Sequence, residues 1–124
     1  MAQSLDAAEV VVASDLTLVE CNRVLIRAEA LLKAGSKDIA FRRSLLAEAA
    51  VTWEMLRLHD SILERARHRF PLEPVRTLDA IHLASALLAR SVVPDLQILS
   101  LDQRVRENGR ALGFPLLPEH LVSA

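Results

Sequence analysis

Residues 76–102 read RTLDAIHLASALLARSVVPDLQILSLD, and this stretch carries most of the information about the fold. Thr77 begins a run of mostly apolar residues that is typical of a buried helix, and Leu96–Ser100 is typical of a short buried strand. One carboxylate, Asp79, lies at the start of the predicted helix, and a second, Asp102, follows the predicted strand. In an α/β protein, acids at the carboxyl ends of strands usually form a cation site in the crevice there.

Strands and helices alternate along the whole chain. The predicted strands cover residues 9–13, 53–58, 96–100 and 114–117. The predicted helices begin at residues 16, 77 and 102 and directly after residues 36 and 60. Four residues are predicted at helix ends: Gly35 in the left-handed conformation after the first helix (16–33), Ser36 and Asp60 as caps, and Gly113 as the stop of the last. The alternation predicts an α/β fold with a mostly parallel sheet and helices on both faces. The helix from Thr77 is expected to be buried against that sheet.

The composition predicts a single globular domain over residues 1–124. Hydrophobic residues make up 52% of the chain, which is enough for a packed core. The net charge of −1 excludes nucleic-acid binding driven by bulk positive charge, but it is compatible with a basic groove beside an acidic pocket. Cys21 is the single cysteine, which excludes an internal disulfide and a cysteine-rich zinc site. The sequence contains no signal-peptide pattern and no stretch long enough to span a membrane, so a cytoplasmic location is predicted.

Three acids are candidates for a functional site, and each has a simpler structural explanation. Asp79 can complement the positive end of its helix, which is worth about 0.3–1 kcal/mol. Asp102 can cap the last helix, which is worth about 1 kcal/mol. Glu20 lies three residues before Arg23 on the first predicted helix, where a weak surface ion pair is the default. The apolar neighbours of Glu20 also allow a partly buried position.

The geometry of a parallel sheet is expected to bring these acids together. In a right-handed parallel sheet each strand-to-helix junction emerges at the same edge, and so does the amino end of the Thr77 helix if that helix packs as a crossover. Glu20, Asp79 and Asp102 are then predicted to converge. Three close carboxylates repel one another unless protons or a divalent cation neutralise them. Mg²⁺ or Mn²⁺ suits such an all-oxygen site, and either metal can promote phosphodiester hydrolysis by lowering the pKa of a bound water.

Three segments around these acids resemble the acidic motifs of the PIN domain, in particular those of the VapC-type toxins of bacterial toxin–antitoxin pairs. The segments are residues 14–20 (SDLTLVE), 77–84 (TLDAIHLA) and 99–102 (LSLD). The resemblance implies a three-layer PIN-like fold and a Mg²⁺-dependent endoribonuclease. It further implies an RNA substrate, a homodimer and a small protein antitoxin as partner. Glu20, Asp79 and Asp102 would be the catalytic, metal-holding acids, with Thr77 as a polar neighbour.

The chain departs from the family pattern at its beginning. PIN domains open with an apolar strand, central in their sheet, that ends in the first metal-site aspartate, and residues 1–6 (MAQSLD) do not match it. Three explanations are open: a natural start upstream, a gap filled by a partner or a second copy, or a degenerate remnant. We expect an N-terminally truncated PIN-like domain. The alternatives to a nuclease are an inactive remnant that binds an antitoxin-like partner, and a helical interaction module without a site.

His82 and a group of arginines also have more than one interpretation. His82 lies three residues after Asp79, and we favour packing or a hydrogen bond behind the metal site over a role as metal ligand. Six arginines near helix ends are either solvated surface residues or contacts for the phosphates of RNA. They are Arg65, Arg67, Arg69, Arg104, Arg106 and Arg110.

Overall fold

The computed structural model describes residues 10–31 and 35–121. Within these residues five helices alternate with four short strands, and both strand pairs are parallel, which confirms the predicted α/β class. The elements are β1 (Val12–Ser14), α1 (Asp15–Leu31), α2 (Ser36–Ala50), β2 (Glu54–Leu56), α3 (Asp60–Ala66), α4 (Thr77–Val92), β3 (Ile98–Leu99), α5 (Gln103–Ala111) and β4 (Leu116–Leu117). They belong to two compact units, residues 10–57 and residues 58–121. The single-domain organisation stays a prediction. So does the missing first strand, which concerns residues outside the described ranges.

In the unit of residues 10–57, β1 pairs with β2 and α1 packs against α2. The predicted first strand is confirmed in part, because β1 covers Val12–Ser14 and Glu9 lies outside the described residues. Ser14 is the last residue of β1, and its buried hydroxyl Oγ accepts a hydrogen bond of 3.1 Å from the backbone N–H of Leu16. This bond satisfies one of the free N–H groups at the start of α1, so the chain turns from strand to helix without a linker.

Three predictions at helix ends are wrong: the left-handed conformation of Gly35 and the caps at Ser36 and Asp60. Gly35 has φ −64° and ψ 143°, which is an extended conformation, and it stands before the first residue of α2. Ser36 is therefore the first helical residue, and no side chain caps α2. Asp60 likewise is the first residue of α3 and follows His59, which has the extended conformation of an N-cap. The starts of α2 and α3 were nevertheless predicted to within one residue, which is the usual uncertainty of helix ends.

Helix α4 begins at Thr77, as predicted, and it is the central element of the unit of residues 58–121. Its buried residues are mostly small and lie on two sides of the helix, with Ala80, Leu83 and Ala84 on one side and Ser85 and Ala89 on another. Within its unit, α4 packs mainly on α3 and α5. Helix α4 was predicted to be buried against a sheet. Within this unit it is not, because β3 and β4 are each two residues long and cannot cover a helix of 16 residues.

Two polar side chains fix the segment that leads into α4. The carboxylate of Glu73 accepts hydrogen bonds from the backbone N–H groups of Phe70 and Val75, at 2.8 and 2.7 Å. The side chain of Asn108, which is fully buried on α5, accepts from the backbone N–H of Leu72 at 2.9 Å and donates to its carbonyl at 3.0 Å. The first turn of α4 therefore has a well-defined position relative to α5.

Gly109 lets α5 lie close to the β3–β4 pair. A Cβ atom at Gly109 would be 3.0 Å from Cδ1 of Ile98 and 3.2 Å from Cδ2 of Leu116. These two side chains lie opposite each other in the parallel register of β3 and β4. Helix α5 and the β3–β4 pair thereby form one packed corner, and Asp102 lies in its connection between β3 and α5.

Gly113 follows α5 with a φ of +91°, a left-handed conformation that ends the helix as predicted. We expect Gly113→Ala to lower the free energy of unfolding by about 1 kcal/mol, because a Cβ atom disfavours this conformation. Gly35→Ala is the matched control, because Gly35 has a φ of −64° and open space around it, and its effect should stay below about 0.5 kcal/mol. Urea unfolding measures both variants, and equal losses would contradict the argument.

Candidate functional site

Asp79 lies in the first turn of α4, and its side chain is largely buried, with 17% of its surface exposed. Its Oδ2 atom is 3.4 Å from Nε of Arg76, the residue that precedes the helix. The predicted interaction of Asp79 with the positive end of its own helix is consistent with this position. A carboxylate at this place also faces outward from the helix start, towards the side chain of Arg76.

Asp102 lies between β3 and α5 and uses its two carboxylate oxygens differently. Its Oδ1 atom accepts a hydrogen bond of 3.0 Å from the backbone N–H of Val105, so the predicted helix cap is confirmed. Its own backbone N–H donates to Oγ of Ser100 at 3.1 Å, which fixes the turn out of the strand. Its Oδ2 atom is 3.6 Å from Nη2 of Arg76. Capping therefore leaves one oxygen of Asp102 available for a cation.

Asp79 and Asp102 are brought to the same place, since one guanidinium group reaches an oxygen of each. The convergence of these two acids, predicted from the order of strands and helices, is what the structure contains. The oxygens of both carboxylates face one positive charge. Carboxylate oxygens are hard anionic ligands of the kind that Mg²⁺ prefers. Mg²⁺ is commonly held by one or two protein carboxylates together with waters and substrate phosphate. The donor set of this pair therefore fits a divalent cation.

The other predicted site residues lie on α4 and α1. Thr77 is the exposed first residue of α4, and His82 is half-buried one turn after Asp79. Glu20 is half-buried on α1, in the unit of residues 10–57, a position that its apolar neighbours allow. Burial and, to a smaller extent, the charge of Glu20 raise the pKa of the neighbouring Cys21 thiol, which is consistent with a packing role for that cysteine.

The complete three-acid arrangement stays a prediction. Across residues 10–31 and 35–121, no group of three or more His, Cys, Asp or Glu side chains is placed to hold a metal ion. Asp79 and Asp102 supply two such side chains. The assignment of Glu20 as the third acid rests on the motif of residues 14–20 alone.

Sequence reasoning did not identify Arg76 or Ser100. Arg76 is three residues before Asp79, a spacing at which side chains can meet across a helix start, and this spacing was the available signal. Ser100 stands two residues before Asp102, as Ser14 stands two residues before Leu16, and both serines accept a backbone N–H at a strand end. A serine at the end of a predicted strand was therefore a usable sign of a strand-to-helix turn.

Arg106 is neither a solvated residue nor an RNA contact, so both interpretations are wrong for it. It is 3% exposed, and its guanidinium group donates to four backbone carbonyls. Arg67 pairs with Glu64 at 3.1 Å, and Arg104 pairs with Glu107 at 3.5 Å, both on helix surfaces. Contact between the exposed arginines and RNA stays a prediction.

A cleft of about 470 Å³ lies along β4, apart from the acid pair. Its lining residues are Gln97, Arg110, Phe114, Pro115, Leu116, Leu117, Glu119 and His120. Neither Asp79 nor Asp102 lines this cleft.

Comparison with known proteins gives the family. A family model described as the PIN domain matches residues 1–111, which includes both acids of the pair and the motif around Glu20. The chain belongs to the PIN domain family. The α/β PIN-like fold that the three motifs implied is thereby confirmed, with its helices and short parallel strands.

Two curated proteins are similar to this PIN domain, and both are named Ribonuclease VapC35. They come from Mycobacterium tuberculosis strains CDC 1551 / Oshkosh and ATCC 25618 / H37Rv. Each is 34% identical over 58 residues, which is 47% of this chain and 43% of the relative, so the chain matches less than half the length of these relatives. No solved structure matches the chain. In the described part of this PIN domain, no helix combines the length and the apolar character needed to cross a membrane.

Proposed function

We propose that this PIN domain is a metal-dependent endoribonuclease of the VapC-like toxin class. One observation carries the proposal. Asp79 and Asp102 each direct one carboxylate oxygen towards the guanidinium group of Arg76, at the place where the motifs predict a metal site. The similarity to proteins named ribonuclease supports RNA as the substrate. Glu20 is proposed as the third acid of the site.

The residues of this chain would hold the metal and the substrate in place. Asp79 and Asp102 would bind Mg²⁺ or Mn²⁺ through their Oδ2 atoms, while Oδ1 of Asp102 keeps its hydrogen bond to Val105. A divalent ion held there would lower the pKa of a bound water and offset negative charge that builds on the phosphate. Because α4 and the corner of β3 and α5 are packed together, the two carboxylates are held in position before any ligand arrives.

Removal of divalent cations tests this proposal. We expect the purified protein to cleave single-stranded RNA with Mg²⁺ or Mn²⁺, to lose the activity in EDTA, and to regain it when excess metal is returned. Gel separation of a labelled RNA measures the cleavage. Cleavage that continues unchanged in EDTA would contradict a metal-dependent mechanism.

A protein antitoxin, a homodimer and a cytoplasmic location belong to the same proposal. They follow from the VapC-like class and carry no separate support in the described residues. An inactive remnant that binds an antitoxin-like partner is the competing outcome. It is favoured if the protein neither cleaves RNA nor binds Mn²⁺ under conditions in which it is folded.

A further inference from the structure

Arg76 is the residue that joins the two acids. Its Nε atom is 3.4 Å from Oδ2 of Asp79, and its Nη2 atom is 3.6 Å from Oδ2 of Asp102. The Arg76 side chain is 83% exposed, whereas that of Asp79 is 17% exposed. The exposed side chain of Arg76 therefore lies close to one oxygen of each acid.

The stability of α4 does not explain an arginine at this position. Arg76 is the N-cap residue of α4, and no side chain makes a capping hydrogen bond there. A positive charge next to the amino end of a helix is unfavourable, because the free N–H groups already make that end positive. The ion pairs of Arg76 with Asp79 and Asp102 are therefore the interactions that give it a function.

We propose that Arg76 is an internal counter-ion that competes with the divalent cation for Asp79 and Asp102. This inference rests on the proposed function of the acid pair. Mg²⁺ binds carboxylate oxygens at about 2.0–2.1 Å, so it would have to take the same Oδ2 atoms that the guanidinium group faces. The two cations also repel each other, so binding of the metal requires that Arg76 moves away. Arg76 then keeps the acids paired when the metal is absent and sets the metal concentration that the site needs.

The dissociation constant for Mn²⁺, measured by electron paramagnetic resonance of the free ion, tests this competition. We expect Arg76→Gln to bind Mn²⁺ more tightly than the natural chain, by about twofold to tenfold, because exposed ion pairs are individually weak. Arg76→Lys keeps the charge but loses the fork that spans both acids, so its affinity should lie between the two. Arg67→Gln is the matched control. It removes an exposed arginine paired with Glu64 at 3.1 Å and should leave the affinity unchanged.

The outcomes separate the inference from the proposed function. Equal Mn²⁺ affinity in the natural chain and in Arg76→Gln, with binding lost in Asp79→Asn, would overturn the role of Arg76 and leave the metal site in place. Weaker binding by Arg76→Gln would also overturn it, since the arginine would then assist the metal. No Mn²⁺ binding by any variant would overturn both. Circular dichroism of each variant establishes that the fold is retained, which the exposure of Arg76 leads us to expect.

Discussion

Asp79→Asn is expected to lower the rate of RNA cleavage by about 100-fold to 1,000-fold, because a metal ion supplies several kcal/mol of transition-state stabilisation and each 1.36 kcal/mol is a factor of ten in rate. Asparagine has the size of aspartate but no charge, so it keeps the packing of the first turn of α4 and removes one anionic ligand. Single-turnover cleavage of a labelled RNA at saturating Mg²⁺ measures the effect. Asp79 is the better position to test than Asp102, which also caps α5.

The matched control is Asp95→Asn, because Asp95 is an exposed aspartate in the turn after α4, within the same unit. It makes the same chemical change without altering the acid pair, and cleavage should stay within about twofold of the natural rate. Unfolding curves of both variants show whether the fold is intact. If folded Asp79→Asn cleaves RNA as fast as the control, Asp79 holds no catalytic metal.

The sequence predicted the elements of the fold well where local signals were strong. The start of α4 at Thr77 and the end of α5 before Gly113 are confirmed. Both signals are local, because an apolar run and a glycine that can adopt a positive φ are properties of a few neighbouring residues. The caps at Ser36 and Asp60 were wrong by one residue. Both residues are frequent at the N-cap and in the first helical turn alike, so the residue type does not separate the two positions.

Packing partners were predicted less well than elements. The apolar pattern of α4 indicates that most of its surface is covered, but the pattern does not say by what. Two neighbouring helices cover it within its unit, and the strands there are shorter than the apolar runs 96–100 and 114–117 suggested. Strand length depends on how many backbone groups find partners across the pair, which is a long-range property.

Half of the candidate site followed from topology, and the remainder depended on side-chain conformation. Asp79 and Asp102 were expected to meet if the helix from Thr77 packs as a crossover, so that its amino end and the end of the strand 96–100 lie at one edge of a parallel sheet. In the structure one guanidinium group lies close to an oxygen of each acid. Arg76 was missed because its spacing to Asp79 is a weak signal by itself, and its second partner, Asp102, is distant in the sequence. Likewise, the burial of Arg106 is set by backbone carbonyls that lie up to 13 residues away in the chain.

Arg106 is expected to be the most important single side chain for the stability of the unit of residues 58–121. Its Nη1 atom donates to the carbonyls of Ser100 and Leu117 at 3.0 and 3.3 Å, and its Nη2 atom donates to those of Pro118 and Glu119 at 2.6 and 3.1 Å. It therefore ties the end of β3, the end of β4 and the segment after β4 to α5. The planar fork of arginine is the one side chain with enough fixed donors to serve four carbonyls at once.

We expect Arg106→Met to lower the free energy of unfolding by about 3–4 kcal/mol, because it leaves several carbonyls without a donor, each worth about 1–3 kcal/mol when buried, and water can replace part of that loss. The midpoint of thermal unfolding should fall by roughly 10 °C or more. Arg106→Lys should lose about half as much, since a single ammonium group keeps the charge but cannot reach all four acceptors. Arg110→Met, an exposed change on the same helix, should shift stability by less than about 0.5 kcal/mol. Equal denaturant midpoints for Arg106→Met and Arg110→Met would show that the buried guanidinium group does not hold the corner of α5 and the β3–β4 pair together. The position of Asp102 would then depend on the packing at Gly109.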